Sequence, residues 1–266
     1  MPVNEGHNAV HASPDGTLIA KVYGERSRCD VEVAAATLAR AAGVCVPDLI
    51  ERPHERVAVW RRVLRVAEAP GASAIVRLAH DLDRLSSLPA AAAPVNWLVN
   101  IEARAQALES RADWGDPDVA WLVAELRAVL GSAAALGAPV AFQHGDLTAA
   151  NLVHDGRRLH IIDFETVRAA PREWDVATLT VSAQRYDGFA SDALQRVVGA
   201  LSPPPEPTVL ACCVRAKELL NSSWLYLIRG RDRALVAEAG RRVGSLRDGR
   251  RHRWQDLAAL APAQPT

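Results

Sequence analysis

Hydrophobic and polar positions divide this chain into two parts with different periods. Over the first sixty residues the apolar runs are short and extended. Ala9–Ala12 and Thr17–Tyr23 are joined by Ser13-Pro14-Asp15-Gly16, a turn signal. From Cys29 to Ala42 the pattern becomes helical, with Val33, Ala36, Thr37 and Ala41 near one face and a stop at Gly43. Leu49-Ile50-Glu51 and Val57–Val63 return to strand character. After Pro70-Gly71 the period is helical. Ala72–Leu88 places Ile75, Leu78, Ala79, Leu82 and Leu85 on one stripe. Val95–Leu108 follows, and then Asp118–Leu136, started by Asp116 or Pro117 after Trp114-Gly115. A loop and two strands broken by an Asp155-Gly156 hairpin turn interrupt the helices. Helices are then expected over Trp174–Arg185, Ser191–Leu201, Val209–Arg229 and Arg231–Val243, with a short one near Trp254–Leu260 and a rigid connector at Pro203-Pro204-Pro205 with Pro207. The pattern predicts an α+β protein of two lobes. Residues 1–63 form a small β-rich N-lobe with one helix, and residues 64–266 a larger, mainly helical C-lobe.

Composition changes this picture little. A chain of 266 residues, 49% hydrophobic and 23% charged, has ample core for one large domain or two modest ones. No apolar run is read as reaching spanning length, and the N-terminus shows neither a basic nor an apolar leader pattern, so a cytoplasmic protein with no membrane partner is expected. Cys29, Cys45, Cys212 and Cys213 show no metal-ligand or redox spacing and are read as packed thiols.

Formal net charge is zero, which leaves no global field to gather nucleic acid. The charge is uneven, however. Residues 81–125 carry eight acids against three arginines, and residues 228–253 carry nine arginines against three acids. Solvated helix faces explain most such runs. The acidic segment is kept as a pointer to a cationic substrate. The arginine segment lacks the interleaved aromatics of a nucleic-acid surface, so no nucleic-acid partner is expected.

The candidate chemistry sits in the middle of the chain. His144-Gly145-Asp146-Leu147-Thr148-Ala149-Ala150-Asn151 sets an Asp and an Asn five residues apart, and Ile161-Ile162-Asp163-Phe164-Glu165 brings a second Asp twelve residues later. In kinases one Asp accepts the proton of the attacking hydroxyl, while an Asn and a later Asp hold magnesium on the nucleotide phosphates; the pattern H-R-D-x-x-x-x-N followed by D-F-G has this spacing. Here Gly145 replaces the Arg and Glu165 the final Gly. Magnesium takes oxygen ligands, usually one or two protein carboxylates plus phosphates. Asp163 behind an apolar run supplies a carboxylate at fixed height, and Asn151 a neutral oxygen. The bland alternative is an ordinary turn and a strand end.

Lys21 is informative because the chain has 29 arginines and only two lysines, Lys21 and Lys217. An ammonium in the middle of an apolar strand suits phosphate as a compact point charge, where a guanidinium is larger and forked. Glu32 is its expected partner, with Asp30 the rival; a solvent-facing Lys with an unrelated Glu is the alternative.

These blocks resemble the aminoglycoside phosphotransferase and choline kinase family, with its H-G-D-x-x-x-x-N and I-D-F-E motifs. Pro171-Arg172-Glu173-Trp174-Asp175-Val176-Ala177 is similar to the family segment ending in Asp-Leu-Ala. The resemblance runs from about Gly6 to the last helices and is most specific over residues 144–177. It implies a two-lobed protein-kinase-like fold, Mg²⁺, and ATP or GTP as donor. It makes Asp146 the catalytic group, Asn151 and Asp163 the metal ligands, and Lys21 with Glu32 the phosphate anchor. The inter-lobe hinge falls at Val57–Val63, which puts Trp60, Arg61 and Val63 at the purine; packing between lobes is the alternative for Trp60. Gly6-His7-Asn8 stands where the family has its Gly-rich loop, with Asn8 a candidate phosphate contact, but no G-x-G-x-x-G is present. Asp175 is expected to accept backbone amides of the catalytic loop.

Glu165, Asp187, Glu218, Trp224 and Tyr226 are the candidate acceptor contacts, each with a surface or core role as the alternative. The function implied is phosphoryl transfer to a hydroxyl of a small molecule, an aminoglycoside-like or other cationic antibiotic. A metabolic or biosynthetic kinase for choline, ethanolamine, an amino alcohol or a sugar is the runner-up, and a non-catalytic nucleotide-binding module the third reading. A monomer or homodimer is expected.

Overall fold

The computed structural model describes residues 8–111, 116–186, 188–228, 230 and 232–255. Strands β1 (Ala9–Ala12), β2 (Leu18–Val22), β3 (Leu49–His54) and β4 (Val57–Arg61) form one antiparallel sheet in the order β1-β2-β4-β3. The first hairpin closes as its turn residues demand. Gly16 has φ 69°, and the Ser13 hydroxyl accepts from Leu18 N at 3.0 Å. Helix α1 (Arg26–Ala41) crosses beneath the sheet and stops before Gly43, which has φ 83°. In register, Lys21 lies opposite Ala58 on β4, and Ile19 opposite Trp60.

Beyond the sheet the chain is helical. Helix α2 (Ala72–Ser87) buries the whole predicted stripe, Ile75, Leu78, Ala79, Leu82 and Leu85. Helix α3 (Trp97–Glu109) is capped by Asn96, whose side chain accepts from Leu98 N. Helix α4 (Pro117–Leu136) is capped by Asp116, with Pro117 in its first turn, and ends at the left-handed Gly137. At 20 residues and mean hydropathy 1.6, α4 is long and apolar enough to cross a membrane, which corrects the sequence expectation that no run reaches that length. Its placement explains the composition. It packs against α3 and against α7 (Pro207–Ile228), while its polar residues Asp118, Glu125 and Arg127 all form ion pairs.

Two small antiparallel sheets interrupt the helices of the C-lobe, β5 (Val140–Gln143) with β8 (Arg168–Pro171) and β6 (Leu152–His154) with β7 (Leu159–Ile161). The loop 144–151 therefore runs from β5 to β6, and Asp163 follows β7. Both motif segments are pinned at each end by a strand. Helices α5 (Glu173–Arg185), α6 (Ser191–Ala200) and α8 (Arg233–Arg247) complete the C-lobe. The helix expected near Trp254–Leu260 lies outside the described residues from 256 onward, and Trp254 itself is in no regular element.

Two apolar cores result. One runs from Tyr23, Cys29 and Ala36 through α2 to Phe142, Leu147, Ile161 and Phe164, so it joins the N-lobe to the catalytic segment. The other fills the space among α3, α4, α5, α7 and α8 around Trp97, Leu122, Trp174 and Leu219.

Candidate active site

Lys21 leaves the centre of β2 and meets two carboxylates from distant parts of the chain. Its Nζ lies 2.6 Å from Glu32 Oε2 on α1 and 2.5 Å from Asp163 Oδ1 beyond β7, with Glu165 Oε2 at 3.7 Å. Burial opposes the ammonium, but Glu32 and Asp163 outweigh it and hold Lys21 above the ordinary amine value. Glu32 is buried; burial pushes its carboxyl up, and Lys21 and the Tyr23 hydroxyl, which donates to it at 2.9 Å, offset this only in part. The rival partner Asp30 faces outward and pairs with Arg52 and Arg26.

Asp163 has φ 68° and ψ 60°, the single left-handed non-glycine residue among the described ones. Asp tolerates that region better than most residues, and such outliers gather where geometry is fixed for function. The 3₁₀ turn Phe164–Thr166 that follows packs under α1. That packing swings Glu165 toward the N-lobe, where it accepts from Asn8 Nδ2 at 2.5 Å.

Above this network lies a cavity of about 530 Å³ between the lobes. Asn8, Lys21, Glu32, Trp60, Arg61 and Val63 all line it, together with Asn151, Asp163 and Glu165. Trp60 is 9% exposed and packs in the core that joins the lobes, so it walls the cavity and packs between lobes at once. The Arg61 guanidinium turns outward to Asp48, Nε to Oδ2 3.1 Å, so residue 61 meets the cavity away from its charge. Gly6 and His7 lie outside the described residues.

The loop carrying Asp146 is held almost entirely through its backbone. His144 N and Gly145 N donate to the two oxygens of Asp175 at 2.7 and 2.9 Å, the contact expected from the sequence. Trp174 Nε1 donates to Gly145 O at 3.2 Å, and Lys217 Nζ donates to the same oxygen. His144 Nε2 reaches Ile162 O at 2.9 Å, tying this loop to the Asp163 segment. Thr148 N and Asn151 Nδ2 both donate to Asp146 O at 2.8 Å. The Asp146 carboxylate, by contrast, accepts no hydrogen bond among the described residues. Its backbone is fixed and its acid is free.

Gly145 shows how tight the packing is. It has φ 90°, and a Cβ there would stand 2.0 Å from Thr166 O and 2.7 Å from Arg168 Nε. Gly145→Ala is therefore expected to destabilise the fold by at least about 2 kcal/mol. That corresponds to a fall of roughly 4–8 °C in Tm for a chain of this size. Thermal denaturation checks it, and an unchanged Tm would mean the loop has slack that these distances deny.

The donor set suits a hard divalent cation. Glu32, Asp163 and Glu165 bring one oxygen each within 4.8 Å of one another. Asn151 donates an amide hydrogen to Asp146 O, and its carbonyl oxygen, on a residue that lines the cavity, is a neutral ligand for such an ion.

The expected acceptor contacts are not brought together. Glu165 sits in the inter-lobe cavity. Glu218 is 8% exposed and pairs with Arg185 at 2.6 Å, and Tyr226 is 1% exposed with its hydroxyl on Asp118 at 2.8 Å. Both tie helices of the C-lobe together, Glu218 to α5 and Tyr226 to α4. Trp224 is half-buried against the second core, and Asp187 lies outside the described residues. Sequence reasoning passed over Arg168 and Lys217, which flank the catalytic loop. Lys217 carried a signal, as the other of two lysines in the chain.

Comparison with known proteins places this geometry. The model of the phosphotransferase enzyme family matches residues 7–208. Among solved structures, the GDP and kanamycin complex of APH(2")-IIia superimposes with a TM-score of 0.68 at 16% identity, over 93% of this chain and 92% of that one. A choline/ethanolamine kinase family protein from Mesorhizobium loti gives 0.66 at 22% identity over 91% and 84%. The aminoglycoside phosphotransferase APH(3'')-Id from Streptomyces rimosus gives 0.62 at 19% over 83% and 92%. No curated protein matches by sequence.

Proposed function

We propose, from the premise that the chain belongs to the phosphotransferase enzyme family, that it moves the γ-phosphoryl group of ATP or GTP to a hydroxyl of a small molecule. The chain is a small-molecule phosphotransferase with a kinase-like fold. The observation that carries the finer reading is Lys21, which reaches from the N-lobe sheet to Asp163 at the floor of the inter-lobe cavity. An ammonium on one lobe and an oxygen cluster on the other is what a triphosphate needs.

In this reading Lys21, steadied by Glu32, positions the phosphates, and the purine lies against Trp60 near Arg61 and Val63. Asn8 and Glu165 stand at the phosphate end. Asp163 and Asn151 hold Mg²⁺, whose chemistry is to offset charge on the transferring phosphoryl oxygens. The Asp146 carboxylate orients the acceptor hydroxyl and takes its proton. Such a transfer needs positioning and charge compensation rather than covalent participation.

The acceptor is the open part. A cationic, aminoglycoside-like acceptor was expected from the family resemblance together with the acidic segment 81–125. Among the described residues, six of these acids form ion pairs. Asp81 pairs with Arg84, Asp83 with Arg172, Glu102 and Glu109 with Arg127, Asp118 with Arg247, and Glu125 with Arg215. That favours the second reading, a metabolic or biosynthetic small-molecule kinase. The test is nucleotide consumption with ATP and with GTP across amines, sugars, hydroxy acids and antibiotics, read by mass spectrometry for one added phosphate. Tight Mg-nucleotide binding with no product from any acceptor would favour a non-catalytic module instead.

A further inference from the structure

Three cations from three elements gather on the C-lobe side of the catalytic loop: Arg104 of α3, Arg168 of β8 and Lys217 of α7. Arg168 Nε donates to Thr166 O at 3.2 Å, and its guanidinium stacks 5.6 Å from the Trp174 ring. The same nitrogen stands within 2.7 Å of a Cβ built at Gly145, the residue before Asp146. Lys217 lies 4.7 Å from the Trp174 ring and donates to Gly145 O. Arg104 Nη1 donates to Leu220 O at 3.3 Å, one turn along α7 from Lys217.

None of the three forms an ion pair among the described residues. Other well-buried arginines of this lobe do, Arg185 with Glu218 at 2.6 Å and Arg242 with Glu238 at 2.9 Å. Half-burying a charge without a counter-charge is costly, and a guanidinium has five donors to satisfy. Arg104 and Arg168 each place one of these on a protein oxygen. The carboxylates nearest in effect are Asp146 and Asp175, and both oxygens of Asp175 already serve the loop amides. Burial, with repulsion from Arg168, pushes Arg104 down to about 10, while burial pushes Lys217 down to about 8. A positive surplus therefore faces the group that prepares the acceptor.

We infer that the acceptor is an anion, and that its carboxylate or phosphate oxygens are held by Arg104 and Arg168 while its hydroxyl meets Asp146. A planar two-oxygen group matches the guanidinium fork, and an incoming oxyanion supplies the ion pair that none of the described residues gives Arg104 or Arg168. A polycation at the same place would face three cations against the two carboxylates of Asp146 and Asp175. The inference rests on the phosphotransferase reading and narrows it to hydroxy acids, in the broad sense, or phosphorylated polyols.

The experiment compares hydroxy carboxylic acids and sugar phosphates with amino alcohols, neutral sugars and aminoglycosides, using Mg-ATP and Mg-GTP, for wild type, Arg104→Met and Arg104→Lys. An anionic acceptor is expected to show the highest kcat/KM. Arg104→Met is expected to raise its KM by roughly 10- to 100-fold, the weight of a charged hydrogen bond. Mg-nucleotide affinity stays as in wild type, and Arg104→Lys recovers part of the loss. Carboxylate and phosphate acceptors, run as separate arms, show which oxyanion fits. Preferential turnover of an amine or a neutral sugar, or an anion KM indifferent to Arg104→Met, overturns the assignment while leaving the phosphotransferase reading in place. Nucleotide binding with no product from any class overturns both.

Discussion

Asp146→Asn is expected to lower turnover by roughly 10²- to 10⁴-fold, the span of general-base contributions, with Mg-nucleotide affinity nearly unchanged. The expectation follows from how the loop is built. Asp146 is fixed by hydrogen bonds to its carbonyl and amide, from Thr148, Asn151 and back to His144, and none of these involves its carboxylate. Asparagine keeps every backbone contact and the shape of the side chain, and removes the base. The residue is also not among those lining the inter-lobe cavity, so a bound nucleotide has little to lose. Steady-state kinetics and calorimetric nucleotide binding on the same preparation check both halves. A variant that turned over normally would mean that another group takes the proton. One that lost nucleotide affinity would mean Asp146 belongs to the donor site.

Asp163→Ala is expected to act on the other half of the reaction. Its carboxylate lies 2.5 Å from Lys21 Nζ and within the oxygen cluster of Glu32 and Glu165. Removing it deletes an anionic ligand and leaves Lys21 drawn toward Glu32, with Glu165 farther off at 3.7 Å. Nucleotide affinity in the presence of Mg²⁺ should fall on the order of 100-fold, close to 2.7 kcal/mol, and the affinity gained by adding the metal should shrink with it. Titrations with and without Mg²⁺ read this directly. If the variant binds nucleotide as wild type does and keeps the full metal increment, Asp163 is not a metal ligand. Asp146→Asn and Asp163→Ala thus separate acceptor chemistry from donor binding, which one dead variant alone would not.

How far the sequence reached depends on what kind of contact carried each feature. The α2 stripe was legible because one face is buried along its whole length and the period shows it. Lys21 with Glu32 was legible because a lone ammonium in an apolar strand needs a partner, and a helix starting a few residues later supplies one. Asp175 could be given its role because the segment around it is specific. Strands β5 and β8 were passed over: no hairpin turn joins them, and their pairing links positions far apart in sequence, Val140 with Pro171. Helix α4 was legible as a helix, but its length and hydropathy were underread, because three charged residues break the apolar run without ending the helix. The partners of two acceptor candidates were not legible for a related reason. Glu218 and Tyr226 look free in a sequence, but Arg185 and Asp118 engage them only once α5, α4 and α7 are packed. Arg168 and Lys217 were hidden because they meet the catalytic loop only in the folded chain, Lys217 at Gly145 O and Arg168 by packing beside Gly145, which leaves no spacing to read.

The account stands on one event, a phosphoryl group leaving a nucleotide held at Lys21 and Asp163 for a hydroxyl held at Asp146. The most direct measurement follows γ-labelled ATP and GTP into small-molecule products, with wild type and Asp146→Asn side by side. The account predicts labelled product from wild type for at least one hydroxyl-bearing compound, and its near disappearance in Asp146→Asn although the nucleotide still binds. Label that reaches only water, or product that forms equally well in both proteins, would contradict it.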